Sequence, residues 1–481
     1  MSHIFASFMA AAKSVAILFP PHSSQHIALR NRASYCFNHG HYYVTTDQRR
    51  YTAAAPFFHQ GRRYSTTQGK ISDPLHILFC GSDDFSCASL QALHHEHVQN
   101  PSLIRSIDVV VRPGKRTGRG YKVVRDPPLR GLADSLGLKI HERDTFTGWD
   151  IPTRTNLIIA VSFGLFVPPR LLRAAKYGGL NLHPSLLPDL RGPAPLQHTL
   201  LTGRRFTGVS LQTLDEKAFD HGVVLAQTPS DPAQPGALLI PPACRTVAGL
   251  QALVTPPATE ILIRGLRAAL HVPPLQDQGW TPTAEQRAHL VHAPKITKGD
   301  RRLSLALLRT CASETSTLDS FQGIPGTLAR RQDAIGPLWF FSRDRQGRKK
   351  RIIIESLEEM PLGSLDGVNM PMVAETPAST TTARETSTLS HRQYLIPFEE
   401  EGDPVEEGGE EERQSRKSGM NLVFWDASQL FSSILTSGQG SQLARDGNEV
   451  LCLGHYRILS LKVEGEKAKP TLMALRHFII N

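Results

Sequence analysis

Apolar and polar positions alternate in blocks from about residue 73 onward, and the period of each block predicts its secondary structure. The apolar run LHILFC starts at Leu75, and a Gly-Ser turn and the amphipathic segment CASLQALHHEHV follow it. This succession is typical of strand, turn and helix at the start of a βαβ unit. Further short apolar runs begin at Ile107, Asn156, Gly179 and Gly208, with helical patterns between several of them. Strands that alternate with helices predict an α/β fold with a mostly parallel sheet.

The pattern changes after about residue 290. LWFFSRDRQGRKKRIIIESL predicts two strands around a basic glycine turn, while NLVFWDAS, EVLCLGHYRILSLKVEG and ALRHFII resume β-like patterning. The segment from about 360 to 418 is rich in Thr, Ser and Glu, which predicts a disordered low-complexity insertion. We therefore predict an α/β domain over residues 73–290 and a smaller β-rich domain over 291–481 that carries the insertion.

The first 70 residues have the composition of a targeting sequence rather than of a folded domain. Asp47 is their only acidic residue. They contain eight basic residues, namely Lys13, Arg30, Arg32, Arg49, Arg50, Arg62, Arg63 and Lys70. An acid-poor segment with Arg and Ser is typical of a mitochondrial transit peptide, and GRRYSTT is similar to a matrix-processing site with cleavage after Tyr64. We therefore expect the protein in the mitochondrial matrix.

Composition narrows the class of protein further. The formal net charge is +10, although Phe398–Glu412 holds nine acidic residues and no basic one, so the rest of the chain is more basic than the total. A basic folded part favours a polyanionic partner such as a nucleic acid. The six cysteines include no C-x-x-C pair, which argues against a disulfide framework and a zinc site. No apolar run of membrane-spanning length occurs, so we expect no membrane span.

The stretch NLHPSLLPDLRG places an amide and an imidazole where a predicted strand meets a proline-rich loop. Asn181 and His183 are two residues apart, so on a strand they point to the same side. Pro184 ends the strand, and ligands of parallel α/β sheets bind beyond the carboxyl ends of the strands. The pair is suited to polarising a carbonyl and handling a proton. The alternative is that both side chains cap a neighbouring turn.

The segment LDEKAFDHG follows the next predicted strand and contains Asp215, Glu216 and Asp220. A carboxylate here would orient or charge-stabilise His183, or else the segment is a solvated acidic turn. In SFGLFVPP, Gly164 follows a buried strand, where the backbone could approach a flat ligand closely.

These motifs together resemble the formyltransferase family that uses 10-formyltetrahydrofolate. The resemblance rests on GGLNLHPSLLPDLRGPAPLQHTLLTG, on TGVSLQTLDEKAFDHGVVL, and on the flanking segments ILFCGSDDF, AVSFGLFVPPRLL and APKITKGDRRL. The segment LSLKVEGEKAKPTLMALRHF is similar to the last strand and helix of the C-terminal domain in its tRNA-acting members. The likeness covers about residues 75–350 and 419–478.

The resemblance implies a Rossmann-like formyltransferase domain followed by an OB-like domain that helps to bind tRNA. It implies transfer of a formyl group from 10-formyltetrahydrofolate to the α-amino group of a methionyl initiator tRNA, without a metal, by a protein that we expect to be a monomer. The residues that match the catalytic trio of the family are Asn181, His183 and Asp220. Those that match its folate pocket are Phe163, Gly164, Ser185, Leu186, Leu187 and Pro188. Those in the basic segment RPGKRTGRGYKVVR that match its tRNA loop are Arg112, Lys115, Arg116, Arg119 and Lys122.

Three alternatives remain at this point. A purine transformylase and a formyltetrahydrofolate hydrolase share the same three polar residues and the S-L-L-P loop. The first is usually short, and the second continues into a large dehydrogenase for which no room remains here. A tRNA-binding organelle factor without catalytic activity is the third alternative.

Overall fold

The computed structural model describes residues 70–312, 327–359, 372–375, 393–399, 420–426, 451–453 and 456–479. The predicted transit peptide, apart from Lys70, lies outside these residues. Most of the predicted insertion also lies outside them.

The N-terminal part alternates strands and helices, as the pattern predicts. Its elements are β1 (Leu75–Gly81), α1 (Asp84–Gln99), β2 (Ile104–Val111), β3 (Lys115–Thr117), β4 (Val123–Arg125), α2 (Pro128–Ser135), β5 (Lys139–Glu142), β6 (Leu157–Val161), α3 (Pro169–Ala174), β7 (Gly179–His183), α4 (Pro195–Leu201), β8 (Phe206–Thr207), β9 (Ser210–Thr213), β10 (Val224–Gln227), β11 (Leu238–Leu239), α5 (Val247–Arg267) and α6 (Ala284–Ala288).

Seven of these strands form one sheet in the order β10-β9-β7-β6-β1-β2-β5. The pairings from β7 across to β5 are parallel, and β9 pairs antiparallel with both β7 and β10. The predicted α/β fold with a mostly parallel sheet is therefore confirmed.

Local sequence explains the turn between β1 and α1. Asp83 caps the helix, because its side chain accepts a 3.0 Å hydrogen bond from the Ser86 N–H. A Cβ on Gly81 would lie 2.7 Å from the Cβ of Ser86, so only glycine allows this close approach. The Gly-Ser-Asp-Asp run thus encodes both the turn and the helix start.

Both faces of the sheet are buried, which is why its central strands are apolar throughout. On β1, Leu75, Ile77 and Phe79 join a core that α1 and α5 cover. Leu78 and Cys80 face the opposite way, into a second core that includes α3 and the segment before it. This alternation follows from the two-residue period of a strand.

The C-terminal part begins with α7 (Leu305–Ala312) and α8 (Leu328–Ile335). It continues with β12 (Leu338–Arg343), β13 (Lys349–Glu359), β14 (Val373–Glu375), β15 (Gln393–Phe398), β16 (Met420–Asp426), β17 (Leu451–Leu453), β18 (Tyr456–Val463), β19 (Lys469–Pro470) and α9 (Thr471–Leu475). The strands make one antiparallel sheet in the order β12-β13-β18-β17-β16-β14, with β15 also on β16 and β19 also on β18.

This sheet curls back on itself. The backbone N–H of Glu399, just after β15, donates to the carbonyl of Phe341 on β12 at 3.1 Å, so the first strand meets a later one. Apolar side chains fill the inside, with Tyr456 and Phe424 fully buried. The result confirms a smaller β-rich domain and agrees with the predicted OB-like architecture.

Two sequence-based predictions in this region were wrong. The predicted insertion, 360–418, is too wide, because β14 and β15 lie within it; QYLIPF alternates so that Tyr394, Ile396 and Phe398 are buried. The β-like pattern of ALRHFII misleads as well, since its first two residues end α9 and Arg476, His477 and Phe478 form a turn. The family resemblance, which implied a final helix, is correct here.

No helix in the described part of the chain is long and apolar enough to cross a membrane.

Candidate active site

The candidate site is built on the carboxyl end of β7. Asn181 and His183 lie on this strand two residues apart, and β9 runs antiparallel beside it with Gln212 opposite Asn181 and Ser210 opposite His183. His183 is only 5% exposed, whereas Asn181 is half-buried. The pair therefore stands where the apolar strand opens to the surface, as its sequence predicts.

The connection between β9 and β10 brings Asp220 to this pair. The Asn181 Nδ2 donates to Asp220 Oδ1 at 3.0 Å, and His183 Nδ1 lies 3.4 Å from the same oxygen. Asp220 adopts a φ of +58°, in the left-handed region, and its side chain is 8% exposed. The three residues that the family resemblance singles out are thus gathered around one carboxylate.

The two other acidic residues of this connection have local partners. Asp215 accepts hydrogen bonds from the N–H groups of Lys217 and Ala218, each 2.8 Å long, and these bonds hold the pKa of its carboxyl below the ordinary value. Glu216 pairs with Arg173 on α3. Asp215 and Glu216 therefore shape the connection, and Asp220 alone of the three faces His183.

Two further donors complete the surroundings of Asp220. The Gly192 N–H donates to Oδ2 at 3.0 Å and the Gln212 Nε2 donates to Oδ1 at 3.0 Å. Gln212 is 1% exposed, and sequence reasoning missed it. The signal was present, because an amide within the apolar strand GVSLQTLD must find a polar partner when it is buried.

Hydrogen bonding fixes the roles of the two ring nitrogens of His183. Its Nε2 lies 3.0 Å from the Leu190 carbonyl, which can only accept, so Nε2 carries the proton. Nδ1, on the side of Asp220, is the nitrogen that remains to take up a proton. A basic nitrogen, an amide donor and a carboxylate within hydrogen-bonding reach of each other are suited to acyl transfer with proton exchange.

The S-L-L-P loop is packed more tightly than its predicted ligand-binding role suggests. Ser185 is fully buried and its hydroxyl donates to the Asp189 carbonyl at 2.7 Å. Leu186 and Leu187 are 6% and 2% exposed, and the Leu187–Pro188 peptide bond is cis. Of the four predicted folate contacts that lie in this loop, Pro188 is the half-exposed one.

The two predicted folate contacts after β6, Phe163 and Gly164, differ in their exposure. Phe163 is 4% exposed and packs against Phe146, with ring centroids 5.7 Å apart. Gly164 is exposed at a φ of +75°, with no atom within 4 Å of the position that a Cβ would occupy. Nearby, the exposed Phe219 meets the edge of Phe166 at 5.2 Å, an aromatic contact that sequence reasoning missed.

The predicted tRNA loop forms a hairpin of β3 and β4. Lys115, Arg116 and Lys122 are exposed on it, whereas the side chain of Arg119 lies outside the described part of the chain. Arg112 differs from these, because it is half-buried and pairs with Asp144 at 2.6 Å. Three of the five predicted cations therefore lie on one exposed hairpin, and a fourth, Arg112, is paired with Asp144.

Comparison with known proteins places the chain in a family. Residues 75–231 match the family model described as formyl transferase. The mitochondrial methionyl-tRNA formyltransferase of Saccharomyces cerevisiae is 32% identical over 338 residues, which cover 62% of this chain and 79% of the yeast protein. The chain belongs to the methionyl-tRNA formyltransferase family.

Other relatives match over a shorter span. The methionyl-tRNA formyltransferase of Caldicellulosiruptor saccharolyticus is 34% identical over 157 residues, which are 31% of this chain and 48% of that protein, so the chain spans about half the length of this relative. Among solved structures, a sugar N-formyltransferase from Shewanella is similar over 57% of this chain and 95% of its own, at 16% identity and a TM-score of 0.37.

Within the residues that the structure describes, no three His, Cys, Asp or Glu side chains gather as metal ligands. The polar groups of the site bond to one another instead.

Gly222 closes the connection that carries Asp220. The N–H of Val223 donates to the Thr213 hydroxyl at 2.9 Å, and a Cβ on Gly222 would lie 1.8 Å from the Thr213 carbonyl oxygen. We expect Gly222→Ala to lower the free energy of unfolding by about 1–3 kcal/mol, because the added methyl group overpacks this turn. Urea denaturation measures the change.

Gly131→Ala is the matched control. Gly131 lies on α2 with no atom within 4 Å of a Cβ position, so this substitution should be neutral or stabilising by up to about 1 kcal/mol. Equal stability of the Gly222→Ala and unmodified proteins would contradict the close approach at Thr213.

Proposed function

We propose that this protein transfers a formyl group from 10-formyltetrahydrofolate to the α-amino group of methionyl-tRNA. The observation that carries the proposal is the convergence of Asn181 and His183 on Asp220 in a chain that belongs to this family. The reaction needs a neutral amine, a donor for the developing oxyanion and a proton for the departing N10 atom.

The three side chains have distinct roles in this proposal. The amine attacks the formyl carbon, the bond from that carbon to N10 breaks, the amine loses a proton and N10 gains one. Asn181 has two N–H donors and uses one on Asp220, so the other is available to the oxyanion. His183 takes up a proton at Nδ1 and polarises the carbonyl in that charged form, while the Leu190 carbonyl keeps the other proton on Nε2 and the Asp220 carboxylate beside Nδ1 stabilises the charged ring. Loss of one oxyanion donor typically costs on the order of 100- to 1,000-fold in rate.

The folate would lie against the S-L-L-P loop and the segment after β6. We propose that Gly164 and Pro188, which are accessible, make direct contact, and that Phe163, Ser185, Leu186 and Leu187 shape the pocket from within. The buried hydroxyl of Ser185 supports this division, since it is already satisfied inside the loop.

The acceptor end of the tRNA would meet the β3–β4 hairpin. Exposed Lys and Arg side chains on a Gly-containing hairpin are suited to phosphate contacts, which position the tRNA without reading its sequence. Arg112, Lys115, Arg116, Arg119 and Lys122 remain the proposed contacts, and Arg112 would first have to leave Asp144.

Two observations favour this function over its alternatives. The yeast and Caldicellulosiruptor relatives, which are 32% and 34% identical to this chain, are named methionyl-tRNA formyltransferases. The intact Asn181, His183 and Asp220 cluster favours an enzyme over a binding factor.

We propose a mitochondrial protein that works in the matrix as a monomer. The yeast relative is named mitochondrial. The acid-poor, basic composition of residues 1–70 supports the same location.

The proposal is tested by incubating the purified protein, lacking its first 64 residues, with 10-formyltetrahydrofolate and methionyl-tRNA. We expect formyl-methionyl-tRNA to accumulate. Glycinamide ribonucleotide as acceptor, and water alone, test the purine and hydrolase alternatives. Binding of tRNA without formyl transfer would overturn the proposal in favour of the binding factor.

His183→Ala should abolish turnover, because the substitution removes the nitrogen that exchanges protons. The affinity for tRNA should stay nearly unchanged, since the proposed tRNA contacts lie on the β3–β4 hairpin and do not include His183. Turnover and filter-binding measurements on the same preparation check both expectations. Undiminished turnover would rule out the proposed role of His183.

Replacement of Arg116 and Arg119 by Ala should raise KM for tRNA and leave kcat nearly unchanged. Each lost phosphate contact should reduce the slope of log affinity against log salt by about 1. Arg264→Ala, on the exposed side of α5, is the control for loss of a surface arginine. An unaltered KM in the double variant would refute the assignment of the hairpin.

A further inference from the structure

The segment that leads from the α/β part to the C-terminal sheet lies along the loop beside the candidate active site. The Leu190 N–H donates to the Val291 carbonyl at 2.8 Å, and the Ala293 N–H donates to the Arg191 carbonyl at 2.7 Å. The Ala194 N–H returns to the Ala293 carbonyl at 3.2 Å. Residues 289–294, which we call the linker strand, thus pair with residues 189–194, the site loop.

The site loop supplies backbone contacts to two of the proposed catalytic residues. The Leu190 carbonyl accepts from His183 Nε2 at 3.0 Å, and the Gly192 N–H donates to Asp220 Oδ2 at 3.0 Å. The Arg191 Nε also donates to the Asp220 carbonyl at 2.8 Å. A shift of the site loop would therefore change the surroundings of both side chains at once.

A buried ion pair joins the site loop to the linker strand. Asp189 accepts from Arg204 at 3.1 Å and from the Val291 N–H at 2.8 Å, and the Arg204 guanidinium also donates to the His289 carbonyl at 2.8 Å. Asp189 and Arg204 are 6% and 9% exposed. Neither residue contacts His183 or Asp220 directly in these bonds.

Burial of the Asp189–Arg204 pair limits how much the pair can add to the stability of the fold. Burial raises the pKa of Asp189, although Arg204 and the Val291 N–H oppose the shift, and burial lowers the pKa of Arg204. Desolvation thus offsets much of the Coulomb attraction, as is usual for buried ion pairs. A role in fixing the position of the linker strand accounts for the pair better than a large gain in stability.

Steric fit at Gly192 supports the same role. Gly192 has a φ of +125°, and a Cβ there would lie 2.4 Å from the Ala293 carbonyl oxygen. On the other side, His198 of α4 bonds to the Pro294 carbonyl at 3.0 Å. The linker strand therefore packs closely against the site loop at Gly192, and it is also hydrogen-bonded to α4 through His198.

The linker strand also continues directly into the C-terminal sheet. Arg331 of α8 donates to the Asp300 carbonyl at 2.9 Å, and the Leu303 N–H donates to the Trp339 carbonyl of β12 at 2.8 Å. Nine residues separate Ala293 from Leu303. A short segment that is hydrogen-bonded at both ends therefore connects the site loop to the C-terminal sheet.

We propose that Asp189 and Arg204 are positioning residues for formyl transfer, which hold the linker strand against the site loop and so fix the backbone that orients His183 and Asp220. This inference rests on the proposed function. It implies that formyl transfer requires the linker strand in addition to the catalytic trio, because the bonds that support the site loop come from the junction with the C-terminal domain.

Asp189→Asn and Arg204→Met test the two sides of the pair in the full chain. We expect each to lower kcat roughly 10- to 100-fold, by analogy with the loss seen when a residue that orients a metal-binding side chain is replaced. KM for both substrates should change little, and the pH profile of kcat should move because the surroundings of His183 change. Transfer to methionyl-tRNA is measured across pH, together with the thermal midpoint of each variant.

Glu96→Gln is the matched control. Glu96 is 1% exposed and pairs with Arg267 at 2.6 Å, between α1 and α5 and without contact to the site loop. It should lower the thermal midpoint and leave kcat and its pH profile unchanged.

The outcomes separate the two proposals. Unchanged kcat and pH profile in Asp189→Asn and Arg204→Met would overturn the positioning role, as would an equal loss of kcat in Glu96→Gln. An unmodified protein without transfer activity would instead overturn the proposed function. If Arg204→Met does not fold, Asp189→Asn decides alone, since it keeps an acceptor oxygen for the Val291 N–H.

Discussion

The Asp220 carboxylate is the point on which the candidate active site depends. It accepts hydrogen bonds from Asn181 and Gln212 at one oxygen and from the Gly192 N–H at the other, with His183 Nδ1 3.4 Å away. These donors come from β7, β9 and the site loop, so a single side chain ties three pieces of backbone together. Because a buried carboxylate needs such partners, the requirement to satisfy Asp220 and the requirement to orient His183 are met by the same arrangement.

The site loop and the linker strand extend this arrangement beyond the α/β sheet. His183 Nε2 bonds to the Leu190 carbonyl, and that carbonyl belongs to a loop whose own N–H groups bond to residues 291–293. The buried Asp189–Arg204 pair joins the same two segments. The boundary between the domains is therefore part of the surroundings of the candidate site, and not merely a connection between two independent parts.

How well the sequence predicts each contact of this site depends on how far apart its two partners lie along the chain. Strand, turn and helix at the start of the α/β part are local, and Gly81 with Asp83 encodes the turn and the helix start within a few residues. The shared direction of Asn181 and His183 follows from the strand period alone. Gln212 was within reach, because a buried amide in an apolar strand signals a polar partner. Ser185, which the family resemblance assigns to the folate pocket, donates its hydroxyl to the Asp189 carbonyl within the loop, a partner that no local pattern reports.

By itself, then, the sequence determined the α/β class, the position of the amide and imidazole at a strand end, and, through its resemblance to a family, the importance of Asp220. Only the tertiary structure decided that Gln212 and the Gly192 N–H also bond to Asp220, that Arg112 pairs with Asp144, and that the linker strand supports the site loop. The physical reason is distance along the chain. Asp189 and Val291 are 102 residues apart, and no local pattern reports which distant backbone will satisfy a buried polar group.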